Sequence, residues 1–331
     1  MDSRRANVRL TLAINDYDHV RDLVSGDVAV QGIDLTCLEF PVEEIFFRFA
    51  RHREWDISEF SLAKYCSLRA AGDETIVAIP VFPSRSFRHS AIFVAAGGPV
   101  DDPAALAGGR IGVPEWTQTA TVYARGLLEH EYGVSPRDVS WFQAGTNEPG
   151  RIEGIALAPP PGISLTAVPD RTLNDMLIAG ELDAVIAAHP PRAFSDGTIV
   201  RLFSDYRAVE EQYYAATGIF PIMHTVALRS ELLVENPWIA GNLYSAFVEA
   251  KRRGLERALD SNAPRYPVPW SFANAGRAVD IFGEDFWPYG LEPNRATLQG
   301  FLDYAFEQGV VSRALSCEEL FVPAVLEAFR I

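Results

Sequence analysis

The 331-residue chain carries 44 acidic against 29 basic residues, a formal charge of -15, on an ordinary globular background of 48% hydrophobic and 22% charged residues. That balance repels polyanions and argues against nucleic-acid and anionic-membrane partners, and the length fits one large or two medium domains. Cys37, Cys66 and Cys317 are widely spaced and odd in number, so neither a disulfide framework nor a zinc knuckle is expected; with no apolar signal core at the N-terminus, a cytoplasmic protein is.

In chain order, apolar alternation predicts strands over 8–14 and 31–40, joined by an amphipathic segment containing Tyr17, His19 and Val20. A helix over 43–51, a strand over 55–60, a helix over 62–71 and a strand over 75–81 follow. A second unit starts near Phe93, with a strand over 110–113, a helix over 119–132, a strand over 139–142, a helix over 171–179 and a strand over 184–188. The Pro- and Gly-rich stretch 145–162 is a long loop, and loops of that length are usually functional or mobile. After Arg201 come a strand over 223–228 and helices over 237–259, 273–282 and 295–308. Strands alternating with helices at this spacing give an α/β fold, a parallel or mixed sheet wrapped by helices.

Loops at the carboxyl ends of strands face the crevice in such sheets, so functional residues are sought there. The clearest stretch is Arg110-Ile-Gly-Val-Pro-Glu-Trp-Thr-Gln-Thr-Ala-Thr121. A strand stops at Pro114 and a helix starts on Thr117, Thr119 and Thr121, so free backbone N–H groups, the positive end of the dipole and threonine hydroxyls make an anion site. Glu115 and the flat Trp116 beside it suggest an aromatic or planar acid as ligand; a plain helix cap is the alternative. Other strand ends collect Asn15 to His19, Ser58, Glu59 and Ser61, the Ser84 to Ser90 stretch with Arg85, Arg88 and His89, and finally His189 and His224.

Arg88 and His89 precede the apolar run 91–94, read as a strand crossing between lobes, so at most one of them faces a given wall. The guanidinium fork of Arg88 suits a carboxylate clamp, with a surface ion pair as its alternative. His224 lies in Gly218-Ile-Phe-Pro-Ile-Met-His-Thr-Val226, read as the second crossing, where a histidine serves as general acid or base or as a satisfied core residue. His52 and His130 sit on charged faces. No cofactor is expected; Asp16, Asp18, His19, Glu115, His189 and His224 form the alternative, a mixed-ligand divalent metal site without a diagnostic spacing.

The segment Leu182-Asp183-Ala184-Val185-Ile186, after a helix and Gly180, resembles an element of type II periplasmic binding proteins, in which two α/β lobes are joined by two crossing strands as a hinge. That resemblance implies one lobe of residues 1–92 plus 203–331 and another of 93–202, with the ligand between them. Nearly the whole chain also resembles the 4,5-dihydroxyphthalate decarboxylase family. The matching segments are Trp55-Asp-Ile-Ser-Glu-Phe-Ser-Leu-Ala-Lys-Tyr65, Ser86-Phe-Arg-His-Ser90, Gly112-Val-Pro-Glu-Trp-Thr-Gln-Thr-Ala120, Glu148-Pro-Gly-Arg-Ile-Glu153, Gly218-Ile-Phe-Pro-Ile-Met-His224 and Trp287-Pro-Tyr-Gly-Leu291.

The resemblance implies loss of one carboxylate from an aromatic diacid, with protocatechuate as product. It departs at Gly154, where the family pattern has a basic residue after Arg-x-Glu. The chemistry requires an acid near the ring carbon, a base near the para hydroxyl and a clamp for the other carboxylate. Glu115 is expected as acid. His224 or His19 is expected at the hydroxyl, with His89 as a further catalytic candidate. Arg88 and Arg151 are expected on carboxylates, Trp116 on the ring, and Thr117, Thr119, His189 and Glu59 among the binding residues. The expected partner is a small aromatic carboxylate, with a homo-oligomer left open. A non-catalytic solute-binding protein or a cytoplasmic sensor is the rival reading, because fold does not fix function.

Overall fold

The computed structural model describes residues 7–153 and 159–327. The first elements are β1 (Val8–Ile14), α1 (Arg21–Val24), β2 (Ile33–Glu39), α2 (Val42–His52), β3 (Ile57–Ser61), α3 (Leu62–Ala70) and β4 (Ile76–Ile79). Next come β5 (Ile92–Ala95), β6 (Arg110–Val113), α4 (Thr119–Tyr132), β7 (Ser140–Gly145), β8 (Ser164–Thr172), α5 (Leu173–Ile178), β9 (Ala184–Ile186) and β10 (Ile199–Arg201). The chain closes with α6 (Tyr206–Thr217), β11 (His224–Arg229), α7 (Glu231–Glu235), α8 (Trp238–Leu259), α9 (Ser271–Phe282), α10 (Arg295–Glu307) and α11 (Pro323–Glu327).

These strands form two mixed sheets. The first runs β2-β1-β3-β11-β4 and the second β10-β5-β9-β6-β7-β8. Leu12, Ala13 and Ile14 are all fully buried, because helices cover both faces of the first sheet and alternation gives way to a continuous apolar run. In the second sheet Asp183 fixes the start of β6: its carboxylate accepts from the Arg110 backbone N–H at 2.7 Å and from the Arg110 guanidinium at 2.8 and 3.1 Å. The aspartate of the periplasmic-binding-protein-like element is therefore a clasp between β9 and β6. Among the described residues no helix is long and apolar enough to cross a membrane.

Two expectations are corrected by the topology. The return from the second sheet runs through β10, antiparallel to β5, whereas β11 lies inside the first sheet between β3 and β4, so the His224 strand is not a crossing. Arg88 and His89 are not on a strand either: a single 3₁₀ turn, His89–Ala91, precedes β5. Five elements are absent from the sequence-based expectation, namely β8, β10, α6 and the short helices α7 and α11. β8 is an edge strand, mostly exposed and interrupted by Pro169, so it lacks the apolar alternation that marks a strand.

Candidate active site

β3 is buried at every residue, yet its sequence is Ile-Ser-Glu-Phe-Ser, so three polar side chains have been brought into the middle of a sheet. Glu59 is 0% exposed. A buried carboxylate is costly unless donors surround it. Here Glu59 Oε1 accepts from the Tyr17 hydroxyl at 2.6 Å and faces His224 Nδ1 at 2.6 Å, while Oε2 accepts from the Asn15 backbone N–H at 3.0 Å. Parallel β1 and antiparallel β11 flank β3, and their C-terminal and N-terminal ends meet at the same edge, which delivers Tyr17 and His224 to one carboxylate. Burial and then the Glu59 charge raise the Tyr17 hydroxyl well above its ordinary range, so it stays a donor. A carboxylate on Nδ1 fixes the tautomer of His224 and leaves Nε2 for proton transfer. The His224 side chain is 16% exposed and packs edge-on against Phe46.

Tyr17 also lines a cavity of about 320 Å³, together with Asp16, Asp18, His19, Pro83, Ser84, Arg85, Tyr266 and Trp287. That volume is at the small end of ligand pockets. The His19 ring hydrogen-bonds the Pro83 carbonyl, its Nε2 is buried without a protein partner, and burial lowers its pKa to about 4. His19 is therefore a neutral imidazole at neutral pH. The ring is pressed between Tyr17 and Trp287, and Gly254 of α8 permits this approach, since a Cβ there would lie 2.6 Å from His19 Cα. Ser84 ties the cavity to the network, because its carbonyl accepts from the backbone N–H groups of Met223 and His224.

No family model matches the chain. A 4,5-dihydroxyphthalate decarboxylase from Comamonas testosteroni is 40% identical over 329 residues, spanning 98% of this chain and 100% of that protein. The chain belongs to the 4,5-dihydroxyphthalate decarboxylase family. Its fold is that of two-lobed periplasmic binding proteins: the aliphatic sulphonate binding protein SsuA from Escherichia coli superposes with a TM-score of 0.55 at 14% identity, covering 96% of this chain and 99% of that one. The desulfurization enzyme DSZB superposes with a TM-score of 0.54 at 16% identity, covering 97% and 98%. A binding protein and an enzyme thus share this architecture, and the fold alone does not decide between them.

In this family member the threonine-rich helix start does hold an anion, but the anion is the protein's own. Glu153 Oε2 accepts from the backbone N–H groups of Trp116 and Thr117 at 2.6 and 3.3 Å, and Glu153 Oε1 accepts from the Thr117 hydroxyl. The Thr119 hydroxyl is 3.0 Å from Ser61 Oγ and accepts from the Ala63 backbone N–H at 3.1 Å, which joins α4 to the start of α3. The expectation that Thr117 and Thr119 bind substrate is corrected accordingly: their hydroxyls already serve the protein. Glu115 is corrected as well. Lys64 lies 3.0 Å from its Oε2, an oxygen with no hydrogen-bond partner, and Arg151 donates to its Oε1 at 2.6 and 3.0 Å, so the carboxylate pairs with two cations of its own chain. Arg151 is in turn the partner of Glu115, and Gly154 lies outside the described residues.

Trp116 is 1% exposed, with the Arg125 guanidinium 3.6 Å from its ring centroid, Trp141 against its edge and its Nε1 donating to the Gln308 carbonyl. Its faces are occupied, so it belongs to the seam between α4 and α10 and does not stack on a ligand. Glu59 is not among the residues that line this cavity and instead positions Tyr17 and His224, in place of its expected role in binding. His89 is 1% exposed among Tyr132, Phe203 and Tyr213, with its pKa lowered to about 4 by burial, and it has no access to the cavity. Arg88 donates to Met223 Sδ at 3.1 Å; neither it nor His224 is among the lining residues, and His224 is tied to the cavity through Glu59 and Tyr17 whereas Arg88 is not. His189 is exposed, 3.7 Å from Glu43 of α2. The six residues of the metal alternative do not gather; among the described residues the grouping with suitable ligand distances is Glu129, His130 and Glu307, on the surface.

Tyr17 and Arg85 are the site residues that sequence reasoning passed over, as it did Lys64, the partner of Glu115 outside the cavity. Tyr17 and Arg85 stand within polar strand-end clusters, a detectable signal, but nothing local separates them from their neighbours. Lys64 sits in the first turn of α3, where a cation opposes the dipole. That unfavourable placement is the clue to a carboxylate partner.

Proposed function

We infer that this protein is a carboxy-lyase that removes one carboxylate of 4,5-dihydroxyphthalate as CO2 and leaves protocatechuate. The observation that carries this reading is the end-to-end relationship, at 40% identity, to the Comamonas testosteroni enzyme of that name. The His224–Glu59–Tyr17 network supports it, because a solute-binding protein needs donors for an anion and has no use for a carboxylate-held histidine.

Each carboxylate of the substrate is para to a hydroxyl. His224 Nε2, with Nδ1 held by Glu59, takes the proton of the hydroxyl para to the departing group. The resulting phenolate raises electron density at the carbon that bears the carboxylate, and that carbon takes a proton from solvent relayed through the network. The C–C bond then breaks, its electron pair restores the aromatic ring, and CO2 departs. The phenolate finally recovers its proton from His224, so the reaction consumes one proton overall. No electrons leave the organic substrate, so acid and base groups suffice and no cofactor is invoked.

We place the lobes at residues 1–92 with 203–331 and at 93–202, following the two sheets, and the reaction in the cytoplasm, a reading supported by three free cysteines. Incubation of the purified protein with 4,5-dihydroxyphthalate, following CO2 release, tests the assignment. Tight binding without CO2 would favour the solute-binding or sensor reading.

A further inference from the structure

Resting on that reading, we propose that Arg85 anchors the carboxylate the substrate retains, so that the cavity beside Tyr17 selects diacids. Arg85 is 7% exposed and lines the cavity. Its Nη atoms are held by three neutral oxygens, the carbonyls of Phe220 and Pro288 and Asn294 Oδ1, while its Nε has no partner. Among the described residues no carboxylate hydrogen-bonds it. The acid next to this region, Asp285, is taken by Lys251 Nζ at 2.6 Å, and Asp18 on the cavity wall is taken by Arg257 and Arg265. A buried cation without a counter-ion costs several kcal/mol in general, so one retained on a cavity wall marks where an anion completes the site.

The anchor lies beside the strand that carries the site histidine: Arg85 pairs with Ile222 across an antiparallel bridge, two residues before His224, and the Ser84 carbonyl accepts from the His224 backbone N–H at 3.4 Å. His19 adds polarity matching. As a neutral imidazole with an unpartnered Nε2, His19 can share a hydrogen bond with a substrate hydroxyl. Asp16 at the rim repels a carboxylate and turns it toward Arg85.

The test uses titration calorimetry on the full chain with two probes, phthalate, which has carboxylates and no hydroxyls, and catechol, which has hydroxyls and no carboxylate. In Arg85→Gln, phthalate affinity is expected to fall at least about 30-fold, the loss of a charge-assisted pair, while catechol affinity changes less than about threefold. Phthalate binding within about threefold of wild type, or a parallel loss of catechol, would overturn the proposal. Should Arg85→Gln fail to fold, Arg85→Lys, which keeps the charge and loses the guanidinium fork, is read the same way. CO2 release by the wild type is measured in parallel: its absence contradicts the decarboxylase reading, whereas the contrast between the two probes judges Arg85 by itself.

Discussion

Glu59 spends both oxygens on three neighbours, and its value lies in what it does to them. It receives Tyr17 and His224 on one oxygen and a backbone N–H on the other. In Glu59→Gln the amide has one accepting oxygen and one donating nitrogen, so Tyr17 and His224 cannot both be held as they are. We expect kcat to fall about 10²- to 10⁴-fold, the range seen when a histidine loses its orienting carboxylate, with KM changing far less. Steady-state kinetics alongside circular dichroism of the folded variant checks this; an unchanged kcat would remove Glu59 and His224 from the proton path. Glu115 stands in contrast. Its sequence context suggested an acid beside a ligand, and its two cationic partners come from Lys64 of α3 and from Arg151 of the loop after β7, distant positions that no local pattern connects.

At the level of elements, the approach of α8 to the segment after β1 is what seats His19. Gly254 has no side chain because the His19 backbone fills the space, with an added Cβ falling 2.6 Å from Cα and 3.1 Å from Cβ of that residue. Gly254→Ala is therefore expected to cost about 1–3 kcal/mol of stability, as overpacking does, and to raise KM by displacing His19 into the cavity. Urea denaturation and substrate titration measure the two effects; a variant with wild-type stability and KM would refute the packing argument. The elements themselves were largely legible. The strand over 110–113 and the helix over 119–132 were bounded correctly because a Pro, a hydroxyl-rich turn and Gly133 in the left-handed region punctuate them. The edge strands β8 and β10 were not, since one is mostly exposed and the other is three residues long. The candidate site was legible only in its residue types: His224, His19 and Glu59 were picked out at strand ends, but which of them touch depends on the order of strands in the sheet. That order placed β11 beside β3 and turned a supposed crossing strand into the bearer of the site histidine.

The whole molecule carries two histidines kept neutral, the half-buried His19 and the buried His89, each lowered to about 4 by desolvation. Between that value and the ordinary 6.5, the unfolded chain binds protons the folded chain does not, so stability is fully present above pH 6.5 and is lost as pH falls toward 4. Each residue accounts for up to ~3 kcal/mol of that loss. His89→Phe, which keeps an aromatic ring among Tyr132, Phe203 and Tyr213, should shrink the drop in Tm between pH 7.5 and pH 4.5 and leave Tm at pH 7.5 no lower; an undiminished drop would contradict the burial argument. The same molecule must close the proton balance of decarboxylation. The most direct measurement is turnover of 4,5-dihydroxyphthalate in D2O by the wild type and by His224→Ala. The wild type is expected to give CO2 and protocatechuate with one deuterium at C6, the carbon vacated by the carboxylate, and the folded variant a rate at least about 10²-fold slower. No CO2 from the wild type, or His224→Ala turning over at the wild-type rate, would contradict it.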